Sequence, residues 1–233
     1  MQVHSRAVTS NQQGLHPRLA EIVLRHLQHP HRSPTASHNT EAWHALARIL
    51  AADPRPLVLD SFCGTGMSTA LLAARHPRHL VVGIDRSGHR LHKHQNPDGT
   101  GYLLLQAECE PIWRQLLAAG VEVDYHYLLY PNPWPKARHL QRRVHGHPAF
   151  RELVALGGIL ELRSNWQLYV EEFGVSLHLA GVRGIVRELP VQPPLTLFEK
   201  KYHSSGQILW QYCSTGPGGT RAEHRLPVSD IPD

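Results

Sequence analysis

Cysteine is scarce in this chain. Its 233 residues hold three, Cys63, Cys109 and Cys213, far apart and odd in number. They fit free thiols in a reducing cytoplasm better than a disulfide frame. Long apolar runs are missing too: no stretch approaches membrane-spanning length, so no membrane partner is expected. Met1 to Ser10 lack the charged-then-apolar pattern of a secretory signal. The 19 histidines have no thiol partners at zinc spacing. His29/His31, His89/His92/His94 and His145/His147 are therefore read as surface residues, and no metal site is expected. Acids are outnumbered, 19 against 24 Lys and Arg, leaving a net charge of +5 with histidine neutral. That balance favours a polyanionic partner, nucleic acid ahead of a membrane surface.

What the chain does have is a hydrophobic content of 41%, enough for one α/β domain with appendages. Residues 1–17 are polar and aperiodic, an arm ordered only against a partner or the domain. Residues 18–28 place Leu19, Ile22, Val23 and Leu27 at helical spacing, and a second amphipathic helix runs from Glu41 to Ala52. Asp53-Pro54-Arg55-Pro56 ends it. From there short apolar strands alternate with helices. Strands are expected at 57–60, 80–85, 102–106, 123–129 and 159–163. The helices between them are expected at 67–75, 87–94, 109–119 and 148–156, with another at 166–173 and a turn at 95–99. Two more strands are expected near 181–188 and 207–213, joined by a long irregular link. The Gly/Pro-rich residues 214–233 read as a disordered tail. The domain proper is thus 56–213, behind an arm and helices at 1–55. Alternating strands and helices imply a parallel, doubly wound sheet, and the irregular link points to an antiparallel end.

Ligands of such sheets bind outside the carboxyl ends of the strands. Two features mark that edge as a nucleoside pocket. After the first strand comes Asp60-Ser61-Phe62-Cys63-Gly64-Thr65-Gly66, whose glycines let the backbone approach a ligand closely. Asp85 ends the second strand, where an acid suits a pair of ribose hydroxyls. The third glycine of a dinucleotide turn is missing, because Thr69 stands in its place. A nucleoside without pyrophosphate is the better fit, and S-adenosylmethionine is one. Glu108, just past the third strand, can take the exocyclic amine of adenine.

The fourth strand runs straight into Tyr130-Pro131-Asn132-Pro133-Trp134-Pro135-Lys136. Three prolines in five positions cannot extend a ladder or start a helix interior. The chain therefore leaves the sheet as a stiff lip carrying an amide, a flat aromatic and a cation. Six potential cations follow in ten residues: Lys136, Arg138, His139, Arg142, Arg143 and His145. Cations beside Trp134 combine phosphate neutralisation with a stacking surface. Further on, Ser164-Asn165-Trp166 and Thr196-Leu197-Phe198-Glu199 offer Asn165 and Glu199 as hydrogen-bonding groups for a base edge.

Together these motifs resemble the bacterial tRNA (guanine-N7-)-methyltransferase family. Its Pro-Asp-Pro-Trp-Pro-Lys-x-Arg-His hallmark stands here as Pro131-Asn132-Pro133-Trp134-Pro135-Lys136-Ala137-Arg138-His139, followed by Gln141-Arg142-Arg143. The family's Thr-Asp-Trp appears as Ser164-Asn165-Trp166, with Tyr169 and Glu172 downstream, and its Thr-x-Phe-Glu as Thr196 to Glu199. The match runs from about residue 57 to 213. The resemblance implies a seven-stranded, Rossmann-like class I methyltransferase sheet with an N-terminal helical extension. It implies S-adenosyl-L-methionine held by Asp60, Gly64, Gly66, Asp85 and Glu108. It also implies a tRNA variable-loop guanine contacted by Lys136, Asn165, Thr196 and Glu199, in a cytoplasmic protein that is read as a monomer.

The chain departs from the family pattern at three positions. Phe62 replaces a glycine, which is expected to crowd the methionine end of the cofactor. Asn132 replaces the active-site aspartate, and Asn165 a substrate-binding one. Guanine N7 already carries a lone pair, so the protein has to position it rather than deprotonate it. The Asn132 carbonyl still accepts a hydrogen bond but adds no charge to stabilise the developing cation. Two other readings follow from these losses. One is a catalytically weak paralogue that still holds tRNA or cofactor. The other is a methyltransferase acting on an exocyclic amine, prompted by Asn132-Pro133.

Overall fold

Runs buried at every position make two inner strands of the sheet, β1 (Leu57–Ser61) and β2 (Leu80–Asp85), as strands covered on both faces require. The computed structural model describes residues 5–30, 34–94, 101–190 and 193–215. Five further strands complete one sheet: β3 (Tyr102–Gln106), β4 (Val123–Leu129), β5 (Ile159–Ser164), β6 (Gly184–Glu188) and β7 (Trp210–Ser214). Their spatial order is β3-β2-β1-β4-β5-β7-β6. The first five are parallel, and β7 lies antiparallel between β5 and β6. The strand order reverses between β1 and β4, which opens a crevice at their carboxyl ends.

Among the described residues eight α-helices flank the sheet: α1 (Leu19–Gln28), α2 (Ser37–Ala52), α3 (Met67–Arg75), α4 (Gly88–Leu91), α5 (Cys109–Ala118), α6 (Phe150–Leu156), α7 (Gln167–Leu179) and α8 (Leu197–Ser204). Alternation along the strands splits the core. Leu57, Leu59, Leu80 and Val82 join Trp113, Phe150 and Phe173 from α5, α6 and α7. Val58 and Val81 face the other way, with Leu72 and Leu195. α1 adds Leu19, Ile22 and Val23 to the larger core.

Three expectations need correction. The link between β6 and β7 is not irregular throughout, since it holds α8. α7 runs six residues past Phe173, because Gly174 is a packing position rather than a stop. A Cβ there would lie 3.0 Å from Val186 and 3.3 Å from Tyr212. α4 has four residues where eight were expected. The turn at 95–99 and nearly all of the tail lie outside the described residues. Among those described, no helix is long and apolar enough to cross a membrane.

Candidate active site

Register brings the motif residues to one edge. Ser61 pairs with Ile84 and Leu128, Asp85 with Gln106, and Leu129 with Arg163. The glycine turn, the Asp85 corner, the proline lip and Asn165 therefore leave the sheet side by side.

The turn after β1 has left-handed backbone at Phe62 (φ 63°), Gly64 (φ 64°) and Gly66 (φ 77°). Glycine adopts this freely, whereas Phe62 carries strain of about 1–2 kcal/mol. The Phe62 ring meets Trp113 of α5 edge-on, with centroids 5.9 Å apart. A Cβ on Gly64 would meet nothing within 4 Å, so open space lies over the turn. Asp60 is fully buried, and its Oδ2 accepts from Ser68 Oγ (2.6 Å) and Thr69 Oγ1 (2.7 Å) at the start of α3. Its Oδ1 is buried with no partner among the described residues. Burial pushes this carboxyl up to about 6, opposed by the two hydroxyl donors and reinforced by the charge of Asp85.

Asp85 is also buried. Its Oδ2 accepts from Gly64 N (2.9 Å), and Oδ1 from Ser87 N (2.8 Å) and the half-exposed Arg90 guanidinium (3.0 Å). Glu108 is exposed and forms a reciprocal pair with Asn39 of α2. Asn39 Nδ2 donates to Glu108 Oε2 at 3.1 Å, and Glu108 N donates to Asn39 Oδ1 at 2.9 Å. These residues fit a nucleoside cofactor. Space stands open over Gly64, an orphaned acceptor remains on Asp60, and the half-exposed Arg90 is the side chain on Asp85 that ribose hydroxyls would displace.

On the lip, Tyr130 (φ 57°) and Trp134 (φ 44°) are again left-handed. Asn132 is exposed, and its Oδ1 accepts from Trp134 N at 3.4 Å. The Arg142 guanidinium lies 4.9 Å over the Trp134 ring, and His139 meets that ring edge-on. The basic segment divides in two. Lys136, Arg138 and Arg142 are exposed, whereas Arg143 and His145 are fully buried, so the surface reading of His145 is corrected: its ring is drawn inside by Glu172.

Arg143 and His145 belong to a hub that sequence reasoning missed. Glu172 of α7 accepts from Arg143 Nη1, His145 Nε2 (3.1 Å), Gln12 Nε2 (2.6 Å) and His16 N (2.8 Å). Burial would raise this carboxyl, but the His145 hydrogen bond and the Arg143 charge outweigh it and hold it at about 2. Burial holds His145 below its usual range, against the Glu172 carboxylate, which pulls it up. Arg143 in turn donates to the carbonyls of Trp134 (3.3 Å) and Lys136 (3.5 Å), fixing the lip.

The N-terminal arm runs over this edge. Ser5 N donates to Ser205 Oγ (2.9 Å), Ser10 Oγ to Pro135 O (2.5 Å), and Ala137 N to Asn11 Oδ1 (3.1 Å). Because β5 lies between β4 and β7, the arm crosses the carboxyl end of β5, where Asn165 stands. Asn165 Nδ2 donates to Gln207 Oε1 at 2.9 Å. Thr196 caps α8 by accepting from Glu199 N (2.9 Å), and Glu199 forms a buried pair with Arg163 (3.0 Å). Burial raises the Glu199 carboxyl against the opposing charge of Arg163. The structure thus brings every predicted site residue to one edge, several of them already engaged by neighbours.

Comparison with known proteins agrees with this geometry. Residues 54–211 match the family model described as "Putative methyltransferase". The chain is 30% identical to the tRNA (guanine-N(7)-)-methyltransferase of Klebsiella pneumoniae subsp. pneumoniae, over 66% of this chain and 70% of that protein. It is 31% identical, with the same coverage, to the protein of that name from Yersinia pseudotuberculosis. Among solved structures it shares its fold with an antibiotic-related methyltransferase (16% identity, 79% of this chain and 96% of that one, TM-score 0.55). The same holds for the 16S rRNA methyltransferase KamB (20% identity, 79% and 96%, TM-score 0.53). By the family model and these relatives, the chain belongs to the methyltransferase family that includes those tRNA (guanine-N(7)-)-methyltransferases.

Proposed function

We propose that this methyltransferase acts on tRNA, transferring a methyl group to N7 of a guanine in the variable loop. The observation that carries the reading is the lip from Pro131 to His139, which leaves β4 beside the glycine turn of β1 with Lys136 and Arg138 exposed on it and Arg142 exposed just beyond. When bound, S-adenosyl-L-methionine supplies an electrophilic methyl group on a sulfonium centre. The glycine turn (Gly64, Gly66), Asp60, Asp85 and Glu108 form its cradle. Asp85 is the ribose acceptor once Arg90 moves aside, and Glu108 takes the adenine amine.

Lys136, Asn165, Thr196 and Glu199 hold the acceptor base. Asn132 stands closest in role to the transfer: a neutral acceptor on a rigid loop, which orients the purine. Orientation alone is a large part of such a barrier, and N7 needs no base. The missing carboxylate lowers the electrostatic contribution, so a slow enzyme is expected, with Asn132→Asp faster than the natural chain. An exocyclic amine is the less favoured acceptor, since Trp134 follows Pro133 directly, with no second proline between them as in an Asn-Pro-Pro-aromatic loop.

The test is labelled methyl transfer from S-adenosyl-L-methionine to unmodified tRNA, with mass spectrometry of the nucleosides. N7-methylguanosine is expected. Folded protein that binds S-adenosylhomocysteine yet labels no tRNA would overturn the reading, and an amino-methylated base would replace it.

A further inference from the structure

Asparagine in place of an acid raises a question of orientation, because one end of its amide accepts and the other donates. At Asn165 the surrounding chemistry decides which end is free. The deciding group is the backbone carbonyl of Ser5, which can only accept. Gln207 Nε2 donates to it at 2.8 Å. With its NH2 committed there, Gln207 presents Oε1 to its other neighbour, and Asn165 Nδ2 donates to that oxygen at 2.9 Å. Reversing the Asn165 amide would set two carbonyl oxygens against each other. Reversing Gln207 as well would aim its oxygen at the Ser5 carbonyl. No flip within the relay satisfies all its members. Ser5 is itself anchored, its N–H donating to Ser205 Oγ at 2.9 Å.

We infer that Gln207 is a positioning residue, which turns the Asn165 amide so that its carbonyl oxygen is the end left for the acceptor base. Resting on the proposed tRNA guanine reading, this assigns Asn165 a partner edge rich in donors. The N1–H and 2-amino group of guanine form such an edge, and adenine lacks it. The relay lets an asparagine present the acceptor that an aspartate would present without help. An aspartate needs no orienting partner, since both its oxygens accept.

The orientation is read first without RNA, as hydrogen exchange of the Asn165 side-chain amide. Its NH2 protons are expected to exchange slowly in the native chain and to lose protection in Gln207→Ala. Steady-state kinetics follow. Gln207→Ala is expected to raise KM for tRNA roughly tenfold, the scale of one well-placed hydrogen bond. Its kcat, melting temperature and affinity for S-adenosylhomocysteine should be unchanged. The double variant Asn165→Asp/Gln207→Ala is expected to recover the lost affinity, because a carboxylate needs no orientation. A purely structural Gln207 would give no such rescue. Replacing the target guanosine by inosine, which lacks the 2-amino group, should penalise the native chain more than Gln207→Ala. Fast exchange at Asn165 in the native chain, an unchanged KM in Gln207→Ala, or failure of the double variant to recover would overturn the relay. Slow exchange in a native chain that labels no tRNA would instead overturn the functional reading, and the role of the relay in acceptor binding with it.

Discussion

Arg143 and Glu172 pair with both side chains fully withdrawn from solvent, and the pair joins the lip to α7. Arg143 reaches back to the carbonyls of Trp134 and Lys136, while Glu172 collects donors from the arm at Gln12 and His16. Removing one member of a buried pair leaves the other uncompensated, a cost of about 3–5 kcal/mol. Glu172→Gln is therefore expected to lower unfolding stability by that order in urea titration. A loss under about 1 kcal/mol would show that the pair does not hold the lip.

The same carboxylate gives an acid limit to stability. Its folded value lies near 2, below the unfolded value of about 4.3. A depressed carboxyl contributes stability that is present above the unfolded value and lost as pH falls through the folded one. Stability should thus decline between about pH 4.5 and 2, and Glu172→Gln should flatten that decline. Thermal melts across this range would check it.

Asp60 works in the opposite sense. Its carboxyl is raised to about 6, first by burial and partly by Asp85, against the donors Ser68 and Thr69. A raised carboxyl stabilises the fold while protonated, below its unfolded value near 3.9, and that contribution is lost as pH rises through 6. Asp60→Asn keeps an acceptor for the hydroxyls without the buried charge. It is expected to be the more stable protein at pH 7, by up to about 3 kcal/mol, with the advantage gone below about pH 4. A variant less stable than the native chain at pH 7 would show that the ionised form is the one the fold prefers.

Much of the sheet was legible because its strands are short, apolar and punctuated. β2, β3 and β4 fall where their hydrophobic runs place them, and three prolines announce the lip. The partners that decide the site were not legible. Arg143 and Arg142 are neighbours of one type, yet one is buried and the other exposed. The difference comes from Glu172, 29 residues further on. Asn39 meets Glu108 across 69 residues, and Ser5 meets Gln207 across 202. α8 escaped notice because its pattern is inverted. Leu197 and Phe198 are 54% and 45% exposed, while the buried residue is the acid Glu199. Periodicity cannot find a helix whose buried face is an ion pair.

Phe62 gives a test in which the usual order of substitution reverses. Alanine ordinarily surpasses glycine in ordered backbone. Here the backbone is left-handed at φ 63°. Phe62→Ala loses the contact with Trp113 and keeps the strain, whereas Phe62→Gly loses the contact and sheds the strain. Glycine is expected to be the more stable of the two by about 1 kcal/mol, measured by chemical denaturation. Equal stabilities would mean that this turn carries no strain.

The division of the basic segment fixes how RNA binding should respond to salt. Each neutralised phosphate adds roughly 0.7–0.9 to the slope of log affinity against log salt. Arg138 and Arg142 are exposed and free of buried duties. Alanine at each should lower the slope by about 1 and leave the melting temperature in place. Arg142 carries a second expectation, because its guanidinium covers the Trp134 ring at 4.9 Å. A base that stacks there must displace it, so Arg142→Ala trades a phosphate contact for an open aromatic face. Its affinity should therefore fall less than that of Arg138→Ala, while its slope falls equally. Equal losses of affinity in filter binding across a salt series would mean that no base uses Trp134.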